Sequence, residues 1–130
     1  MNLKKYLIIA LVCLQSFPLF AKDYMASRFG IKSDGKTLNT RTIQFAIDYI
    51  NKNGGGRLVF TVGKYLTGSI FLKSNVTLHL EEGSVLLGSL NPFDYEKKDF
   101  ESLVFAYDQQ NVAITGRGTI DGQGNQLARN

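Results

Sequence analysis

Between positions 54 and 124 the sequence is a series of short β-branched segments cut by Gly, Ser and Asn, and none is long enough to form a helix. It reads GGGRLVFTVGKYLTGSIFLKSNVTLHLEEGSVLLGSL, then a polar insert, then NVAITGRGTIDGQG. Many short strands punctuated by turn residues indicate an all-β architecture. The run also matches itself. Asn75-Val76-Thr77-Leu78 recurs 36 positions later as Asn111-Val112-Ala113-Ile114. Each copy is followed by a glycine and a second strand, Gly83 before Val85-Leu86-Leu87 and Gly118 before Ile120. Self-similarity at a period of roughly 20–50 residues marks stacked repeats, and short strands at that period point to the coils of a parallel β-helix.

The pattern predicts strands at 57–61, 64–67, 70–72, 76–80, 85–87, 103–106, 112–115 and 119–121. In Val76-Thr77-Leu78-His79-Leu80 the alternation puts Val76, Leu78 and Leu80 on one face and Thr77 and His79 on the other. Ahead of the strands, Ile43, Ala46, Ile47 and Ile50 fall at i, i+3, i+4 and i+7, one apolar face of a helix over about 40–53. Asn39 or Thr40 is its expected N-cap, and Gly54-Gly55-Gly56 its terminator. Such a helix has a physical role, because the first coil of a solenoid exposes its core and needs a lid. Residues 22–38 form a polar leader in which Phe29-Gly30-Ile31 is expected as a strand and Ser33-Asp34-Gly35 as a turn. Positions 91–102 interrupt the array with Pro92, Lys97, Lys98, Asp99 and the aromatics Phe93, Tyr95 and Phe100. This insert is either a binding loop or, the favoured reading, a solvated excursion whose aromatics fold back on the coil edge.

The first 21 residues have the layout of a secretory signal peptide: Lys4 and Lys5, an apolar run over 6–14, and Pro18-Leu19-Phe20-Ala21 ending in a small residue. The apolar run is shorter than the ~20 residues that span a bilayer, and Val12 before Cys13 does not suit a lipoprotein signal. Export by cleavage after residue 21 is therefore expected, to the periplasm or outside the cell, with no stable membrane insertion. Without the leader, 13 of the 15 basic residues face 11 acidic ones, a net charge of +2. That gives no electrostatic case for nucleic acid. The single cysteine, Cys13, leaves with the leader, which removes disulfides, thiolate catalysis and cysteine–metal sites.

These residues resemble the amino-terminal part of glycoside hydrolase family 28, the polygalacturonase family. The resemblance is carried by Thr42-Ile43-Gln44-Phe45-Ala46-Ile47-Asp48, by Gly54-Gly55-Gly56-Arg57-Leu58-Val59-Phe60 and by Gly63-Lys64-Tyr65-Leu66-Thr67-Gly68-Ser69-Ile70. Leu72-Lys73-Ser74-Asn75-Val76-Thr77-Leu78, Asp94-Tyr95 and the run from Asn111 to Gly124 continue it in the family's order. It implies a right-handed parallel β-helix of the pectin lyase type, in which residues 22–130 supply the cap and first coils. It also implies a partner, the acidic plant polysaccharide pectin. Two features depart from the family pattern. Thr61-Val62 stands where a proline is usual, and no tryptophan follows Gly122-Gln123-Gly124.

The resemblance implies inverting hydrolysis of α-galacturonosidic bonds, in which one carboxylic acid protonates the leaving oxygen. A second carboxylate about 6.5–9.5 Å away activates water on the opposite sugar face. The family's Asn-Thr-Asp, Asp-Asp, Gly-His-Gly and Arg-Ile-Lys motifs do not occur in this sequence. Glu81-Glu82 are adjacent acids at the turn after a strand, where solvated side chains are the ordinary outcome. His79, the single histidine, belongs on an outer face without the partner spacing of a metal site. Asp121 suits a turn, where aspartate can bond its own backbone amides. Gly116-Arg117-Gly118 fails as a dinucleotide loop because Asp121 replaces the third glycine. Lys64, Lys73 and Arg117 are scattered cations that could attract an acidic polysaccharide. The reading names no catalytic residue, no metal and no cofactor, and it expects the catalytic coils beyond Asn130. The alternatives are a lyase- or epimerase-like β-helix and a non-catalytic carbohydrate-binding β-helix.

Overall fold

The structure, a computed structural model, describes residues 22–96 and 102–123; the expected signal peptide lies outside them. Strand β1 (Asp23–Met25) leads through a 3-10 turn (Ala26–Phe29) to the helix α1 (Thr40–Lys52). The chain then winds through β2 (Gly56–Phe60), β3 (Gly63–Thr67) and β4 (Ile70–Phe71), and repeats the circuit through β5 (Val76–Leu80), β6 (Ser84–Gly88) and β7 (Val104–Phe105). It begins a third with β8 (Ala113–Gly116) and β9 (Thr119–Asp121). Like follows like: the sheets are β1-β2-β5-β8, β3-β6-β9 and β4-β7, and every pairing is parallel. This is a right-handed parallel β-helix closed at one end by a helix.

The register shows why the sequence repeats. Leu58, Leu78 and Ile114 lie in one column across β2, β5 and β8. Leu58 and Leu78 are fully buried with Phe60, Ile70, Val76 and Leu86, each such side chain stabilising the fold by roughly 1.5–3 kcal/mol. Thr77 and His79 face outward, as alternation requires. Val76 pairs with Gly56, 20 positions earlier, whereas Ala113 pairs with Thr77, 36 positions earlier. The interval visible in the sequence is therefore one coil of about 20 residues lengthened by the insert.

One corner recurs on every rung. Gly55, Asn75 and Asn111 precede β2, β5 and β8 and all have positive φ, at 93°, 66° and 57°. Glycine and asparagine are the residues that tolerate the left-handed region. A Cβ on Gly55 would stand 2.5 Å from the Asn75 carbonyl oxygen, so the first rung requires glycine there. On the next rungs the side chains bond each other, Asn111 Nδ2 donating to Asn75 Oδ1 at 3.1 Å.

Helix α1 forms where expected, with Ile43, Ala46, Ile47 and Ile50 fully buried against the first coil. Its polar side chains do a second task. The Gln44 amide accepts from the Phe71 N–H at 2.8 Å and donates to the Phe71 carbonyl at 3.0 Å, taking the place of a neighbouring strand along β4. Thr40 Oγ1 accepts from the Gly68 N–H at 2.7 Å, and Asn51 donates to the Ser74 carbonyl at 2.9 Å. The edge that a solenoid leaves bare is closed by side-chain amides and a hydroxyl.

Two local expectations change. Asn39 sits at the N-cap position, but its side chain makes no cap bond. It is buried and bonds the Lys32 N–H, the Lys32 carbonyl and the Leu66 carbonyl instead, because tying the leader to the coil satisfies a buried amide completely. Phe29-Gly30-Ile31 is not a strand. It closes the 3-10 turn with Gly30 at φ 80°, and the strand lies earlier, at β1. At the other end β8 and β9 are exposed, Ile114 and Ile120 each at 42%.

Replacing Gln44 with Leu keeps the helix and removes both bonds to Phe71. The expected cost is about 1–3 kcal/mol, read as a lower urea midpoint at unchanged slope. An unchanged midpoint would show that water serves this edge equally well.

Candidate functional site

The outward face of the first sheet carries a line of polar side chains. Asp23 on β1 accepts two bonds from the Arg57 guanidinium on β2, at 2.7 and 2.8 Å. Arg57 Nη1 lies 3.4 Å from His79 Nδ1 on β5, and that nitrogen is 2.8 Å from Thr115 Oγ1 on β8. Parallel register creates the line, since strands 34 and 36 positions apart become neighbours. His79 thus lies on the outer face as expected, bonded within the sheet. Among the described residues no group of three His, Cys, Asp or Glu could hold a metal ion.

Asp23 and Asp34 are committed to structural bonds. Arg57 holds the Asp23 carboxyl below its ordinary value, chiefly by hydrogen bonding. Asp34 accepts from the Thr37 and Lys36 backbone N–H groups and from the Thr37 hydroxyl, which together bring its carboxyl down to about 2. Both shifts favour the carboxylate, whereas a general acid for glycoside cleavage needs its proton held. Glu81 and Glu82 are exposed at the turn between β5 and β6, where the Glu81 backbone serves Phe60 and Ser84. Asp121 accepts from the Gln123 N–H at 3.0 Å, the turn role expected of it. Gly116-Arg117-Gly118 is the bend between β8 and β9, with Gly118 N–H on the Leu80 carbonyl at 2.9 Å. Lys64 is on β3, Lys73 follows β4 and Arg117 lies between β8 and β9.

The insert is rooted at both described ends by one hydroxyl. Ser69 Oγ accepts from the Glu96 N–H at 2.9 Å and donates to the Ser102 carbonyl at 2.8 Å. Tyr95 is buried, its hydroxyl donating to the Ser89 carbonyl at 2.7 Å, and Asp94 accepts from the Ser89 hydroxyl. Tyr95 therefore folds back on the coil, whereas Phe93 stays 88% exposed. Lys97, Lys98, Asp99 and Phe100 lie outside the described residues. Sequence reasoning had no signal for Ser69 as the staple or for the Asp23–Arg57 pair, because each depends on partners about 30 positions away.

No protein-family model matches this chain. An exo-poly-α-D-galacturonosidase of Dickeya chrysanthemi is 39% identical over 116 residues, 75% of this chain and 19% of that protein. Among solved structures, a Parabacteroides merdae protein provisionally described as a glycosyl hydrolase is 52% identical, with TM-score 0.80 over 83% of this chain and 47% of the other. The family 28 exopolygalacturonase of Yersinia enterocolitica is 39% identical, with TM-score 0.71 over 78% of this chain and 21% of the other. The chain spans about a fifth of the length of the curated relatives it matches.

The two depressed carboxylates predict the acid limb of stability. A carboxyl with lowered folded-state pKa contributes above its unfolded value of 3.8 and loses that contribution as pH falls toward about 2. The melting temperature should be level near neutrality and fall between about pH 4 and 2, less steeply in Asp34→Ala. An identical acid limb in that variant would show that Asp34 is not responsible.

Proposed function

We propose, with homology to the family 28 polygalacturonases as the premise, that this chain is the lid and opening coils of an exported glycoside hydrolase acting on the α-galacturonosidic bonds of pectin. The observation that carries the reading is the in-register parallel stack behind α1, at 39% identity over three quarters of the chain to an exo-poly-α-D-galacturonosidase. In this reading residues 1–21 are the cleaved signal and residues 22–130 are structural.

Inverting hydrolysis needs a protonated acid and a base about 6.5–9.5 Å apart with a water between them and one sugar face. Three described carboxylates do other work: Asp23 pairs with Arg57, Asp34 closes a turn, and Asp94 anchors the insert, while Glu81 and Glu82 lie exposed at a turn. In this reading the acid and base belong to coils that stack on β8 and β9. What this chain contributes is position. Leu78 and Ile114 hold the pitch, the asparagine corner sets each strand's start, and Ser69 fixes where the insert leaves the coil.

The test is reducing-end release from polygalacturonate. The 130-residue chain alone should release none. Joined in frame to the coils that follow the matching segment of the Dickeya relative, it should support hydrolysis with inversion of the anomeric centre. A folded chimera without activity would refute the reading, and so would release by the short chain itself.

A further inference from the structure

The outer face of the lid carries an aromatic surface whose outermost rings, Phe45 and Tyr49, lie outside the core and have no part in the hydrolytic reading. Phe45 is 63% exposed and Tyr49 44%, although both sit on the helix that closes the core. Their rings stack at 6.4 Å and 25°. Phe29 meets both rings edge-on, at 6.4 and 5.8 Å, and Tyr24 meets Tyr49 edge-on at 6.0 Å. Four rings thus hold one another in place before any partner arrives, which lowers the ordering cost of binding.

Cations surround the rings. Lys22 Nζ lies 5.2 Å over the Tyr24 ring. Arg41 and Lys52 are exposed at the two ends of the helical stripe that holds Phe45 and Tyr49, about 16 Å apart at the rise of a helix. Beside the stripe is a cavity of about 400 Å³ lined by Lys22, Asp23, Tyr24, Met25, Arg28 and Phe29. The two nearby carboxylates are engaged, Asp23 by Arg57 and Asp48 by the Gln44 amide. The surface therefore offers flat rings and positive charge together.

We infer that this outer face of the lid is a non-catalytic binding surface for an acidic oligosaccharide. The C–H faces of sugar rings lie on Phe45 and Tyr49, attracted by the negative faces of the aromatic rings. The uronate carboxylates meet Lys22, Arg28, Arg41 and Lys52. A neutral glycan would lose the second interaction and a simple polyanion the first. The identity of the sugar rests on the polygalacturonase reading; the cationic aromatic surface does not. Its place on the lid would hold the enzyme against its polymer through a site separate from any catalytic coil, a gain of effective concentration rather than of chemistry.

The experiment uses the 130-residue chain tethered sparsely to a sensor surface, so that the exposed β8 and β9 edges of separate copies do not meet. The probes are oligogalacturonate, a neutral cello-oligosaccharide and polyglutamate. Oligogalacturonate should bind, with the other two at least roughly tenfold weaker. Phe45→Ala with Tyr49→Ala should weaken it roughly tenfold, and so should Arg41→Glu with Lys52→Glu, which leaves the rings untouched. Absence of binding by the unaltered chain, unchanged affinity in the charge variant, or equal binding of cello-oligosaccharide would overturn the inference. None of these results would bear on hydrolysis by the chimera, so the two readings fail separately.

Discussion

A strand in a parallel coil is paired by the coil below and the coil above, and its inward side chain is buried by its counterparts on both. The structure rests on that mutual dependence. Leu78 is fully buried because Leu58 lies under it and Ile114 over it. Ile114, in the last described rung of the same column, is 42% exposed. An aliphatic side chain in that column thus passes from core to surface where no described strand lies over it. Repeat proteins are stabilised in this way by their nearest neighbours.

The lower end shows how such a stack is started. A helix can bury the apolar floor of the first coil, but it cannot supply strand-like hydrogen bonds from its own backbone. Here Thr40, Gln44 and Asn51 supply them from side chains, over the stretch of first-coil backbone from Gly68 to Ser74. The isoleucine face of α1 and its polar flank therefore do different things to the same coil: one excludes water, the other satisfies the backbone. The opposite face, with Phe45 and Tyr49, does neither, which is why it is available for a partner.

Much of this was legible in the sequence because it is local. Val76–Leu80 alternates strictly and forms a strand with those bounds. The isoleucine spacing locates the helix to within a residue, and the repeated Asn-Val coincides with corners of the same positive φ. What was hidden depends on the winding. A strand of three residues at Asp23–Met25 has no period to detect, and it exists because β2 offers an edge and Arg57 a partner for Asp23. The length of a coil was masked by the insert, which turned an interval of 20 into one of 36. Asn39 suited a helix cap by type, yet its amide serves Lys32 and Leu66. For the functional site, the sequence named no catalytic residue; Asp23 is held in an ion pair, Asp34 and Asp121 in turns, and Glu81 and Glu82 are exposed.

Parallel stacking in this register can be read from a pair of engineered cysteines. With Cys13 replaced by Ser, Thr77→Cys and Ala113→Cys occupy facing positions on adjacent parallel strands, about 4.8 Å apart, within the reach of a disulfide. Mild oxidation should crosslink that pair readily and leave Thr77→Cys with Thr115→Cys unlinked. Crosslinking of the second pair and not the first would mean another register or an antiparallel direction, and would contradict the stacking described.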